Sequence, residues 1–422
     1  MRTNVKESYA IQHVQIVDVV GGTILSDRTV LVEDGRIREV VAAEQPPTGQ
    51  HIDGAGRYLC PGLIDGHVHF FLDACRDPRR HFIESDDTNR MAVARHNART
   101  AISAGITTMR DCGGPAPLMW RLLEEVQSGE TPAPHILCSG TPLMRVGGHC
   151  HFFGGEVATV DQVRQRIEQQ LEKGAGFVKL MASGGGLTPG TNPGEADLPL
   201  ELMRTAAELA HEHGVHIAAH CHATESIVRA VEAGLDIIEH ASFVELDGRS
   251  QYDAAIAKSI LERDIVVSPT VYAALQSAKR FREAGGSHNP QDVEVVQRLE
   301  ERLTNTGRFH KLGLKMLGGT DCGVTDTPFD CLVDELIAYT QAGLSNVEAL
   351  RTATCDGAAY MWLDQVGQIK QGHRADLILL AENPLEDLNA LRKPLLVVKA
   401  GQCLVSHCET DGRSTISSQP SK

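Results

Sequence analysis

The chain is 422 residues long, 42% hydrophobic, and carries 55 acidic against 40 basic side chains, a formal net charge of −15. An acidic balance without a basic cluster disfavours nucleic acid or an anionic membrane surface as a partner, and no apolar run approaches the roughly 20 residues of a membrane span. Eleven cysteines fall without the rhythm of a disulfide scaffold and the opening MRTNVKESYA has no apolar stretch of the secretory kind, so reduced thiols and a cytoplasmic location are expected.

In chain order, residues 9–60 hold the β-type runs IQHVQIVDVV, TVLVEDGRIREVV and GRYLC, punctuated by Gly and Asp-Gly turns. From 61 to 360, short apolar strands alternate with helix-period stretches, the pattern of a parallel sheet with crossover helices. Eight candidate strands can be counted: CPGLIDGHVH, GITTMRDCG, PHILCSG, FVKLMAS, VHIAAHCH, DIIEHAS, IVVSPT and LKMLGGTDCG. Eight strands with room for helices between them favour a closed (β/α)8 TIM barrel over an open sheet. Residues 361–406 return to β character in QIKQG, ADLILLAE and LLVVKAGQCL. Neither 1–60 nor 361–406 can enclose a core alone, so the two ends are expected to form one small β-sandwich beside the barrel. The polar stretch 407–422 is expected to be disordered.

In such a barrel the chemistry sits at the C-terminal ends of the strands. The first strand ends in DGHVHF, and His67 and His69, two apart, can point to one face and reach one metal ion. His220 ends the fifth strand, His240 the sixth and Asp321 the eighth. A lone strand histidine is more often a core residue, but five metal-capable residues at one end of four strands are hard to assign to chance. Lys179, in FVKLMASGGG, ends the fourth strand. It can snorkel to solvent. Beside two divalent cations, burial instead favours its neutral amine, which can add carbon dioxide and become an anionic carbamate bridging both metals.

Other features read more plainly. Arg110 and Asp111 are either a pair orienting ligands or a structural ion pair. The loop 183–194, SGGGLTPGTNPG, lacks a phosphate-loop ending and reads as a mobile rim or lid of the pocket. HEHGVH, residues 211–216, imitates a metal motif but reads as a helix C-terminus. The charged segment AKRFREAGGSHNPQDVEVVQRLEERL reads as two solvated helices around a loop.

Taken together, PGLIDGHVH, GITTMRDCGG, FVKLMASGGG, AAHCHA, IIEHASF, GGTDCG and GHRADLILLAENPLEDL resemble, in order and over about residues 10–405, the amidohydrolase superfamily in its imidazolonepropionase-like and prolidase-like branch. The resemblance implies two divalent metal ions, expected to be zinc. His67, His69 and Asp321 would hold one and His220 and His240 the other, with carboxylated Lys179 as the bridge. It implies attack on an amide carbonyl by a metal-bridging hydroxide, with Asp321 also accepting the proton and passing it to the departing amine. In RVGGHCHFFGG, His149 matches the residue that contacts the substrate carbonyl in similar hydrolases, with His151 as a second candidate. His222 stands where prolidase-like relatives often carry a tyrosine for the substrate carboxylate, a departure that weakens the expectation of a free carboxylate.

The expected activity is therefore a binuclear zinc amidohydrolase acting on a small-molecule substrate: a dipeptide, an N-acyl amino acid or another small amide. A lactone, carbamate or organophosphate ester hydrolase would share the same metal set. A mononuclear deaminase would lack Lys179 and carry a glutamate close after His220, whereas Glu225 in HCHATE has the wrong spacing. A non-catalytic scaffold would have lost ligands. Self-association into a homo-oligomer is left open.

Overall fold

The computed structural model describes residues 8–42, 50–284 and 290–406, so the expected disorder of 407–422 lies outside the described residues. Seven parallel strands, Leu63–Val68, Ile106–Asp111, His135–Cys138, Phe177–Met181, His216–Ala223, Ile237–Val244 and Val266–Ser268, form the barrel wall. Most are buried along their whole length, because helices cover the outside and side chains fill the inside, which is why they read as continuous apolar runs. Two hydrogen-bonded arcs, the first to third strands and the fourth to seventh, are joined where Leu143 N–H donates to the Lys179 carbonyl and Met181 N–H to the Leu143 carbonyl, both at 2.8 Å. The expected eighth strand is an extended segment rather than a regular strand. Leu317 N–H donates to Val267 O at 2.9 Å and Asp321 N–H to His67 O at 2.8 Å, which closes the (β/α)8 barrel. Its floor is a cluster that includes Ile64, Cys112, Phe177, Ala218, Ile237 and Leu317.

Strands from both ends of the chain share one eight-stranded sheet. Tyr58–Pro61 pairs in parallel with Ser8–Asp18 and antiparallel with Leu377–Leu380, and so joins the two ends. Its core contains Ile11, Val14, Ile16, Val30, Val32, Leu377, Leu379 and Val398, the every-second-residue pattern of strands with one buried face. The chain passes from this sandwich into the barrel at Gly62, whose N–H donates to Asp376 O at 2.8 Å. No Cβ fits there, since it would lie 2.3 Å from the Thr107 side chain.

The segment 211–216 behaves as expected: helix Leu200–Glu212 ends at His213, and Gly214 takes φ +70° before the fifth strand begins. The helices Val271–Glu283 and Pro290–Leu312 differ from expectation, for neither is simply solvated. Ala274 and Ala278 on the first, and Val296, Arg302, Thr306 and Phe309 on the second, are buried. Spacings of three and four put Ala274 and Ala278, and likewise Arg302, Thr306 and Phe309, on one helix face, and the surrounding charges hid that stripe. Among the described residues, no helix is long and apolar enough to cross a membrane.

Candidate metal centre

Four of the expected ligands are imidazoles at strand ends, and each has its outer nitrogen held by a protein group, with His67, His69 and His220 donating to carboxylate or carbonyl oxygens. His67 Nδ1 meets Glu239 Oε2 at 2.9 Å and His69 Nδ1 the Gly113 carbonyl at 2.9 Å. His220 Nε2 meets the Gly184 carbonyl at 3.1 Å and His240 Nδ1 the Thr270 hydroxyl at 2.7 Å. With the outer nitrogen protonated, the inner one carries a lone pair. The inner nitrogens converge. His240 Nε2 lies 2.9 Å from His220 Nδ1, and His67 Nε2 and His69 Nε2 lie 3.5 and 3.3 Å from Asp321 Oδ1. Donor atoms of His67, His240 and Asp321 fall within 4.8 Å of one another, as do those of His220, His222 and His240. Ligand-capable nitrogens and a carboxylate converging across such short gaps fit a cation, and the outward hydrogen bonds are those that orient histidine ligands.

Lys179 follows from strand alternation: Phe177, Lys179 and Met181 share one face of the fourth strand. Phe177 lies in the floor cluster, while Lys179 and Met181 line the cavity above it. The Lys179 Nζ is buried without a hydrogen-bond partner, and Glu239 Oε1 is 3.9 Å away. An unpartnered amine at this place fits a group that gains oxygen atoms when metal binds.

The electrostatics suit ligation. Burial, helped by Lys179, pushes the His67 imidazole down to about 4, and burial holds His220 and His240 well below the usual range. All three are therefore neutral near pH 7, the form that binds metal. Burial would raise the Asp321 carboxyl, but His67 and His69 bring it below its usual value. His69 is the exception among the imidazoles: burial lowers it, yet Asp321 lifts it above normal. His240, Thr270 and Asp321 all have φ between +50° and +67°, left-handed conformations that cost energy and gather at functional sites.

Glu239 is a site residue the sequence reading missed. Fully buried, it accepts from His67, pairs with Arg110 and lies 3.9 Å from the Cys112 thiol. Burial would raise its carboxyl, but Arg110, His67 and Lys179 hold it well below the carboxylate range. The available signal was a carboxylate inside the apolar run DIIEH. Arg110 and Asp111 are accordingly not a pair. Consecutive strand residues face opposite ways: Arg110 turns inward to Glu239 and to the Gly66 carbonyl at 2.7 Å. Asp111 accepts from the backbone N–H groups of Phe70 at 2.8 Å and Gly113 at 3.0 Å.

The remaining candidates separate. His149 is buried, lines the cavity and stacks on His220 with ring centroids 4.7 Å apart. Burial pushes its imidazole down to about 3. The loop 183–194 folds over it, and at Gly185 a Cβ would lie 2.6 Å from the His149 ring. His222 also lines the cavity. His151 does not: it opens the short turn His151–Phe153 and holds the Gly148 carbonyl through Nδ1 at 3.1 Å. Between the two, Cys150 has a φ of +59°, a left-handed turn of the backbone. The cavity measures about 290 Å³, the small end of ligand pockets.

Three similarities extend beyond this geometry. Ochratoxinase of Aspergillus niger is 25% identical over 372 residues, 80% of this chain and 73% of that protein. A prolidase solved with N-methylphosphonate-L-proline superposes with a TM-score of 0.81 at 26% identity, covering 94% of this chain and 99% of that one. An Xaa-Pro dipeptidase solved with methionine in its active site shares the fold, with a TM-score of 0.85 at 22% identity over 94% of this chain and 99% of that one. The amidohydrolase family model matches residues 58–404. This chain belongs to the amidohydrolase family.

Proposed function

We propose that this protein is a binuclear zinc hydrolase of small amides, with Lys179 carboxylated as the metal bridge. The observation that carries the reading is the convergence of four imidazoles, each held from outside, around the Lys179 amine that has no hydrogen-bond partner. His67, His69 and Asp321 would hold one ion, His220 and His240 the other. Bound metal would lower the pKa of water and polarise the amide carbonyl.

The chain's own groups do the rest. Asp321, held ionised, accepts the proton released as water adds to the amide carbon and returns it to the departing nitrogen. His149, neutral through burial, donates a hydrogen bond to the carbonyl oxygen as charge develops on it. Amide hydrolysis is also what the names of the prolidase and dipeptidase neighbours describe. The barrel thiols Cys112 and Cys138 are buried and outside any disulfide, which suits a reducing cytoplasmic setting.

Protein produced with ample zinc and bicarbonate should contain about two zinc ions per chain by elemental analysis, and Lys179→Ala should lose metal and activity together. Absence of stoichiometric metal, or full activity in Lys179→Ala, refutes the bridge. A screen of dipeptides, N-acyl amino acids, lactones and organophosphates should find turnover among the first two classes; turnover confined to the last two overturns the amide assignment.

A further inference from the structure

A second group of metal-capable side chains lies outside the barrel centre, where the chain leaves the first barrel strand. A carboxylate oxygen of Asp73, the sulfur of Cys75 and a ring nitrogen of His81 all lie within 4.8 Å of one another. Asp73 and Cys75 belong to the loop that follows His69, and His81 to the helix Pro78–Glu84. None of the three lines the cavity of the metal centre. Asp73 is partly buried, whereas Cys75 and His81 are exposed, so ions in solution can reach the group.

The loop holds its shape without an ion. Ala74, between the two loop donors, takes φ +55°, and Asp73 Oδ1 accepts the Cys75 N–H at 3.2 Å. Ala74 is fastened on both sides: its N–H donates to the Gly323 carbonyl at 2.9 Å, and its own carbonyl accepts the Asp326 N–H at 3.0 Å. Asp73 Oδ2 meets His81 Nδ1, and among the described residues no lysine or arginine lies within ion-pair distance of this carboxylate. An ion pair with His81 accounts for the oxygen and the nitrogen. It leaves the sulfur unexplained, because a thiol is only a weak donor and acceptor in such a pair.

The donor types select the class of cation. Sulfur and imidazole nitrogen favour zinc and its neighbours over magnesium and calcium, which prefer oxygen. Donors around a tetrahedral zinc, with bonds of about 2.0–2.3 Å, stand about 3.3–3.7 Å apart, and rotation of exposed side chains is enough to close the group to that spacing. Three protein donors leave a fourth position for water.

We propose that Asp73, Cys75 and His81 form a peripheral site for one further zinc-class divalent cation, separate from the pair in the barrel. As the metal–sulfur bond forms, the Cys75 thiol gives its proton to solvent. Three donors at the surface hold an ion more loosely than the buried centre does, so this ion adds to the other two only where free metal is supplied. The ion ties the helix Pro78–Glu84 to the loop leaving His69. Phe82, next to His81, packs on Phe152 and Phe153 with ring centroids 5.7 and 5.2 Å apart, and Phe153 stacks on His69 at 6.5 Å, so the same ion braces the mouth of the barrel from outside.

The test uses the full chain with its centre loaded with zinc and loosely held metal removed by gel filtration. Titration with cobalt(II) should produce thiolate-to-cobalt absorption in the near ultraviolet that saturates at one equivalent, a signal the barrel centre cannot give because none of its ligands is a thiolate. Excess magnesium should leave the band unchanged, and zinc should displace it. Cys75→Ser should remove the band, while Asp73→Asn and His81→Gln should each weaken cobalt binding at least tenfold. One further equivalent of zinc should raise the melting temperature of the wild type by about 2 °C or more and leave that of Cys75→Ser unmoved. Absence of the band, or its persistence in Cys75→Ser, overturns the site. Cobalt affinity unchanged in both Asp73→Asn and His81→Gln marks binding by the thiol alone and overturns it as well. Cys75 and His81 are exposed, so Cys75→Ser and His81→Gln keep the test open if Asp73→Asn does not fold. None of these measurements reads turnover, so their failure leaves the amide-hydrolase reading standing.

Discussion

At the scale of single residues, Glu239 does more than any one ligand to hold the centre together. Its two oxygens serve His67 and Arg110, both buried, so one negative charge orients a ligand and neutralises a cation beneath the site. Breaking a buried ion pair by removing one partner costs about 3–5 kcal/mol because the other charge stays buried and unpaired. Glu239→Gln keeps the shape and one acceptor, so destabilisation near the lower end, about 3 kcal/mol, is expected in urea denaturation. Loss of an outer hydrogen-bond partner typically weakens metal binding about 10–100-fold, which chelator competition would measure. Adding Arg110→Met to Glu239→Gln should recover much of the stability and none of the metal affinity. Recovery of both would mean that Glu239 acts on the fold alone.

At the scale of elements, the difference between Glu239 and His240 shows where the sequence stopped being legible. Period-two alternation sends neighbours to opposite faces, so choosing His240 as a ligand excluded Glu239. The sixth strand breaks that rule. His240, Ala241 and Phe243 have positive φ, and the register against the fifth strand shifts between Cys221 and Ala223. This bulge brings both Glu239 and His240 to the site, and nothing in IIEHASF announces it. Lys179 was readable because its strand is regular, and the pairing of the chain ends because each end was too short for a core of its own. Arg302 was hidden for another reason: its helix is rich in charge, and its buried stripe includes polar side chains that no hydrophobic period reveals.

The glycine loop can be tested at this same scale. Gly185 is occupied from outside by the His149 ring, with two ring atoms 2.6 Å from any Cβ. His149 is too buried to swing clear, so Gly185→Ala should displace it. Turnover should fall by about 100-fold, the cost of misplacing a positioned group by about 1 Å, with zinc content unchanged. His149→Asn should do the same. Loss of zinc in either variant would make His149 a ligand instead.

At the scale of the whole molecule, so many buried titratable groups give stability a definite pH profile. Burial holds His67 at about 4, His149 and His216 at about 3, and His220, His222 and His240 well below 6.5. Below pH 6.5 the unfolded chain takes up protons that the native metal-free protein refuses, so stability falls on acidification. Each histidine contributes up to about 1.4 kcal/mol per pH unit across the window between its native and unfolded values. Asp65, raised by burial to about 7, and Glu335, raised to about 8, act in the opposite sense. They keep protons that the unfolded chain has released, so their contribution is complete below about pH 4 and is lost as pH rises through the native values. Six histidines outnumber two carboxyls, and the melting temperature of metal-free protein should therefore drop steeply from pH 6.5 to pH 5. From pH 6.5 to 8 the six are silent, and Glu335 dominates with a gentler decline, reinforced by His69, which Asp321 holds above its usual value. Glu335 accepts the N–H groups of Val271 at 2.8 Å and Tyr272 at 2.6 Å, and glutamine can still accept one of them. Glu335→Gln should thus flatten the alkaline limb and leave the acid limb intact. A wild-type alkaline slope in that variant would show that the decline belongs to another group.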